Sequence, residues 1–128
     1  KWQNTKREII LIDTVGDLGR VYSISNFVFV GKSLVPSGGQ NMMEPAGTGN
    51  PVIFGPHTFN FKEEVDLLLE NSAAKVVKTE EELLETIEFF IKNPDVAKEM
   101  GLKAQQVVNE KRGATDRNIE IIKNTIRN

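Results

Sequence analysis

The run Gly38-Gly39-Gln40-Asn41-Met42-Met43-Glu44 gathers groups suited to holding a nucleotide. Two adjacent glycines let the backbone approach a ligand closely and take positive φ. A helix start just after them offers free N–H groups and a positive dipole end, which suits a phosphate. Asn41 and Glu44 are three residues apart, so both can project from one helix face. A carboxylate in that position can accept two hydrogen bonds from a ribose diol, and an Asn side chain can bond a phosphate or ribose oxygen.

The same residues also have a purely structural reading. Gly-Gly before a helix serves as a turn, Asn41 as a cap, and Glu44 as a first-turn acid that complements the helix dipole. His57 follows Gly55-Pro56 and can contact a ligand or act as an acid or base near neutral pH. Alternatively it locks the turn by bonding a backbone carbonyl. Asp13 is either a site acid or a cap for the helix that starts near Asp17. Ser33 and Ser37 sit in no Ser/His/Asp order that supports nucleophilic catalysis, so they are ligand hydrogen-bond donors or loop residues. The GxGxxG fingerprint after a first strand is absent, and so is the P-loop.

These groups need elements to hold them. Glu8 to Asp13 is a β-branched apolar run that predicts a buried strand, followed by a turn over Thr14 to Gly16 and a helix over Asp17 to Ser25. Phe27 to Val30 predicts a second strand covered on both faces. Gly31 to Gly39 is a loop, and Gln40 to Thr48 a short helix. Pro51 to Phe54 predicts a third strand, and Asn60 caps a helix over Phe61 to Glu70. Ala74 to Val77 is a fourth, short strand. Thr79 and Glu82 form a capping-box pattern that opens a helix to Lys92. Two further helices are expected over Val96 to Lys111 and Thr115 to Ile126. The Met42-Met43 and Phe89-Phe90 pairs read as core packing. Strands alternating with helices imply an α/β fold, a partial Rossmann-like parallel sheet of about four strands in three layers. Ligands in such sheets bind at the carboxyl ends of strands, where Asp13 to Gly16, Gly31 to Asn41 and Gly55 to His57 fall.

Composition narrows the function. The chain has 128 residues and a formal net charge of -2, so charge gives no argument for nucleic-acid binding. It has no cysteine and a single histidine, which excludes a disulfide framework and a multi-histidine zinc site within it. No apolar run approaches the ~20 residues of a membrane helix. The chain begins at Lys1 almost directly with a strand-like run, as expected of a piece of a longer protein. No linker or repeat divides residues 1–128, which predicts a single domain.

Three blocks carry a family resemblance. Asp13-Thr14-Val15-Gly16-Asp17-Leu18 resembles the D-T-x-G-[DE]-L segment of the 3-deoxy-D-manno-octulosonic acid (Kdo) transferases. Phe29 to Ala46 is similar to their F-V-G-x-S-L-x-x-x-G-G-H-N-x-x-E-P-A block, and Gly49 to Phe61 to their G-x-P-V-x-x-G-P-x-x-x-N-F block. Gln40 stands where a histidine is usual, and Ser37 where a basic residue is common.

The resemblance implies a fragment of the C-terminal domain of a GT-B fold, with the N-terminal acceptor domain absent from this chain. It implies transfer of Kdo from CMP-Kdo to a lipid A precursor (lipid IVA) in lipopolysaccharide biosynthesis, by an inverting displacement. It implies no metal and no further cofactor, and work at the cytoplasmic face of the inner membrane of Gram-negative bacteria. Carried over residue by residue, Gly38, Gly39, Asn41 and Glu44 would hold the CMP moiety. Ser33 and His57 would line the same cleft, with Thr14 and Gly16 at its edge. The catalytic base would lie in the N-terminal domain, so this chain alone is expected to be inactive. Two strands of the family's sheet would lie before Lys1, which exposes the Phe27 to Val30 edge to self-association. The competing readings are another GT-B glycosyltransferase or epimerase using a UDP-sugar, and a non-catalytic α/β binding module.

Overall fold

The computed structural model describes residues 9–127. Its chain order is α1 (Leu18–Ile24), β1 (Val28–Val30), α2 (Met43–Gly47), β2 (Val52–Phe54), a 3-10 turn (Phe59–Phe61), α3 (Lys62–Glu70), β3 (Ala74–Val76), α4 (Glu80–Lys92) and α5 (Pro94–Arg127). The three strands form a parallel sheet in the order β1-β2-β3. Val28 is in register with Val52, and Val52 with Ala74.

The central strand shows why the sheet has helices on both faces. Val52, Ile53 and Phe54 are all fully buried, and alternate side chains of a strand point to opposite faces. Val52 and Phe54 pack with Met42, Ala46, Leu68, Ala104, Val107 and Val108, so α2, α3 and the middle of α5 cover one face. Ile53 packs with Val77, Phe90 and Ala97 on the other, under α4 and the start of α5. Burying each such side chain stabilises the fold by about 1.5–3 kcal/mol.

The α/β class and parallel sheet match the sequence-based expectation, and the predicted strands 51–54 and 74–77 form within a residue of their limits. The capping box forms: Glu82 N–H donates to Thr79 Oγ1 at 3.1 Å, and the Glu82 carboxylate accepts from Lys78 N–H at 2.7 Å.

Four expectations are corrected. The run predicted as the first strand is not one over its described part. Ile9 to Ile12 pair with no strand, and Ile9 and Leu11 are exposed, so among the described residues the sheet has three strands and not four; Glu8 lies outside them. Apolar β-branched residues make a strand only when a neighbouring ladder can take up their backbone groups. The two predicted C-terminal helices are one, because Gly113 weakens a helix by about 1 kcal/mol without breaking it and no proline follows. Asn60 does not cap α3; it lies inside the 3-10 turn, and the helix begins at Lys62 without a side-chain cap. Asp13 does not cap α1 either. Asp17 occupies the cap position, and its carboxylate accepts instead from the Thr14 hydroxyl at 2.5 Å. Of the paired residues read as core, Met42 and Phe90 are buried and Phe89 is half exposed.

The middle of α5 passes against the α2–β2 connection, and a glycine makes this approach possible. A Cβ on Gly101 would sit 2.0 Å from the Gly49 carbonyl oxygen. Gln105 Nε2, one turn on, donates to Gly47 O at 3.4 Å. This contact fixes where the next turns of α5 lie relative to α2.

Candidate functional site

The carboxyl ends of β1 and β2 are tied together by the Gly31–Gly39 loop. Ser33 is fully buried, and its hydroxyl donates to Val30 O while accepting from Gly55 N–H at 2.8 Å. The Ser33 carbonyl accepts from His57 N–H at 2.9 Å. A Cβ on Gly55 would fall 2.2 Å from that same carbonyl oxygen, so the two segments meet backbone to backbone. The loop closes on itself through Gly39 N–H to Lys32 O at 3.1 Å. Lys32 takes a left-handed conformation at φ 58°, a costly backbone for a residue with a Cβ.

Gly38 and Gly39 follow at φ 85° and 78°. A Cβ on Gly38 would press on the Asn60 side chain, and one on Gly39 would lie 3.2 Å from His57 O. The glycines are therefore needed for this turn and for the approach of residues 57–60, before any ligand is considered. Ser33 is a clasp residue whose hydroxyl donates once and accepts once within the loop region. The backbone of His57 belongs to the same clasp.

Asn41 and Glu44 lie elsewhere. Asn41 Oδ1 accepts from Met43 N–H at 2.9 Å, an Asx-type turn that sets the start of α2. The expected helix start at Gln40 thus falls at Met43. With five residues, α2 aligns too few peptides to supply the dipole expected of it. Both residues are exposed and line a cleft of about 530 Å³ together with Met43, Phe61, Glu64, Lys111 and Arg112. Val108, Lys111, Arg112 and Thr115 enter it from α5 at helical spacing, forming one wall. Lys111 Nζ pairs with Glu64 Oε1 at 3.3 Å across the α3–α5 seam.

The α1 helix leans on α2 from the other side. Asn50 Nδ2 donates to Tyr22 O at 2.6 Å. Burial raises the Tyr22 phenol above its ordinary pKa, and the nearby Glu44 charge raises it further. Thr14 and Gly16 lie on the exposed turn before α1 and do not line the Glu44 cleft.

The sequence-predicted residues thus divide into three groups. Asn41 and Glu44 meet in an open cleft. Ser33, Gly38, Gly39 and the His57 backbone form a clasp, and Thr14 and Gly16 stand apart. Sequence reading missed Glu64, Lys111 and Arg112. Their helices were expected, but which face of α5 would meet α2 depended on a tertiary contact at Gly101.

Among the described residues there is no group of three or more His, Asp or Glu that could hold a metal ion. Nor is any helix among them long and apolar enough to cross a membrane.

No protein-family model matches the chain. The 3-deoxy-D-manno-octulosonic acid transferase of Haemophilus influenzae is 36% identical over 121 residues, covering 94% of this chain and 28% of that protein. The enzyme of the same name from Aquifex aeolicus is 35% identical over 83 residues, 65% of this chain and 24% of its own length. A solved structure, the C-terminal CMP-Kdo binding domain of WaaA from Acinetobacter baumannii, superimposes with a TM-score of 0.71 at 28% identity, over 76% of this chain and 51% of that one. The chain spans little more than a quarter of the Haemophilus relative it matches.

Proposed function

We propose that this chain, which belongs to the 3-deoxy-D-manno-octulosonic acid transferases and corresponds to their C-terminal part, holds the nucleotide of CMP-Kdo in the cleft of Asn41 and Glu44. One observation carries the reading. The Asn and Glu of the family-like block, three residues apart, both line an open cleft, while the neighbouring Ser33, Gly38 and Gly39 are used in shaping the loop before it.

The roles follow from donor and acceptor chemistry. The Glu44 carboxylate is acceptor-only, so it suits the ribose hydroxyls and repels a phosphate. Asn41 keeps Oδ1 on Met43 N–H, which leaves its NH₂ group as the donor for a ligand oxygen. The clasp shapes the loop before the site, and His57 is assigned to the rim. Gly16 and Thr14 are assigned to the outer edge of the site in the whole protein.

The whole enzyme is proposed to transfer Kdo from CMP-Kdo to a lipid A precursor, inverting the anomeric centre as CMP departs. Residues 1–128 serve as one donor-binding unit, with no metal assigned to it. The acceptor and the catalytic base belong to an N-terminal domain, and the work is placed at the cytoplasmic face of the bacterial inner membrane. This chain alone then binds nucleotide without catalysing transfer.

The test is an NMR titration of the chain with CMP and UMP in parallel. The expected result is that CMP shifts the amides of residues 38–44 and 108–115, and UMP does so clearly less. Preference for UMP would move the chain to the UDP-sugar users of the same fold. Binding of neither nucleotide would favour a non-catalytic α/β module.

A further inference from the structure

The cleft contains two cations that the family-like blocks do not include. Lys111 and Arg112 enter from α5, facing Glu44 and Asn41 on the α2 side. Their situations differ. Lys111 is held by Glu64 at 3.3 Å. Arg112 forms no ion pair among the described residues. A Cβ added to Gly47 would lie 3.6 Å from an Arg112 guanidinium nitrogen, so the group hangs over α2, one turn beyond Glu44.

We infer that Arg112 binds the phosphate of the nucleotide whose ribose Glu44 holds, with Lys111 as a second cation restrained by Glu64. The inference rests on the nucleotide reading above and adds the anion-binding half of the site. The charge logic requires such a half. Glu44 and Glu64 both face the cleft, and two carboxylates would repel a phosphate unless cations offset them. The five-residue helix α2 supplies little dipole for this purpose. A guanidinium presents a planar fork of donors that matches a phosphate bidentately and always carries its charge. Position selects the phosphate rather than the sugar acid's carboxylate. The phosphate is bonded to the ribose itself, so a cation beside the ribose-binding residue reaches it first.

Glu64 gives the arrangement a second consequence. Its carboxylate competes with the ligand for Lys111, so Lys111 contributes less than Arg112 while that pair is intact.

The experiment is isothermal titration of the chain, and of its Arg112→Gln and Glu64→Gln variants, with CMP and with cytidine. Arg112 is exposed and Glu64 half-buried, and circular dichroism checks that each variant is folded. Arg112→Gln should weaken CMP about tenfold, the scale of one charged hydrogen-bonded contact, and leave cytidine unchanged. Glu64→Gln should tighten CMP about threefold by freeing Lys111, again without effect on cytidine. A CMP affinity unchanged by Arg112→Gln, or an equal loss for CMP and cytidine, would overturn the assignment of the phosphate to Arg112 and leave the nucleotide reading standing. Wild-type chain that binds neither CMP nor cytidine would overturn both.

Discussion

The Gly31–Gly39 loop and the Glu44 cleft are neighbours in sequence but opposite in how they use their polar groups. In the loop, the Ser33 hydroxyl, the Ser33 carbonyl and the Gly39 N–H all bond inward, to Val30, Gly55, His57 and Lys32. In the cleft, Asn41 and Glu44 are exposed, and the Arg112 guanidinium has no carboxylate partner among the described residues. One motif thus contains two kinds of residue. The first kind fixes the backbone, and the second presents chemistry on it. Changes in the loop should act through stability, whereas changes in the cleft should act through binding.

Gly55→Ala is the strongest way to break that division. The added Cβ would meet the Ser33 carbonyl carbon and oxygen, at 2.4 and 2.2 Å, with no flexible side chain there to move aside. The two segments must separate, with overpacking strain and the loss of one or more clasp hydrogen bonds. The expected destabilisation is about 3 kcal/mol, read as a lower midpoint in urea denaturation. A wild-type midpoint would mean that the clasp is not a stabilising unit.

Ser33→Ala tests the same region more gently. It leaves Gly55 N–H without its acceptor at a buried position, and Val30 O without its donor. The expected cost is about 2 kcal/mol, with CMP affinity kept in the folded fraction. A variant of unchanged stability that lost CMP would return Ser33 to the ligand contacts suggested by the family-like block.

How far the sequence foretold each region follows from the same contrast. The loop, the short strands around it and the α4 cap were legible because they depend on local signals: glycine pairs, β-branched runs and the Thr79–Glu82 spacing. Asn41 and Glu44 were legible as a pair from their spacing, although Asn41 lies in the turn before α2 and not on a shared helical face. The role of Ser33 was not legible, since a serine in a loop looks the same whether its partner is a ligand or the amide of Gly55, 22 residues on. The opposite wall of the cleft was hidden for a similar reason. Nothing local to Lys111 and Arg112 shows that Gly101 lets α5 touch Gly49, and Gly113 suggested a helix break that does not occur. The Ile9 to Ile12 run misled in the other direction, because a strand-like composition does not supply a strand partner.

The smallest expected effect joins α1 to the cleft. Tyr22 is the chain's single tyrosine, so its ionisation can be followed by ultraviolet absorbance without overlap from another phenol. Burial, and then the charge of Glu44, raise its pKa above the ordinary 10.0. A raised phenol pKa favours the neutral form in the folded state. Its contribution to stability is therefore complete below about pH 10 and is lost as pH rises through the folded-state value. Glu44→Gln should move the titration part of the way back toward the ordinary value, because burial, the larger cause, remains. Stability at neutral pH should be unchanged within about 0.5 kcal/mol, as for most surface substitutions. Identical titrations in the two proteins would place the Glu44 carboxylate beyond reach of Tyr22. α1 would then have no electrostatic link to Glu44, and its only tie to the site among the described residues would be the packing against α2 and the Asn50–Tyr22 hydrogen bond.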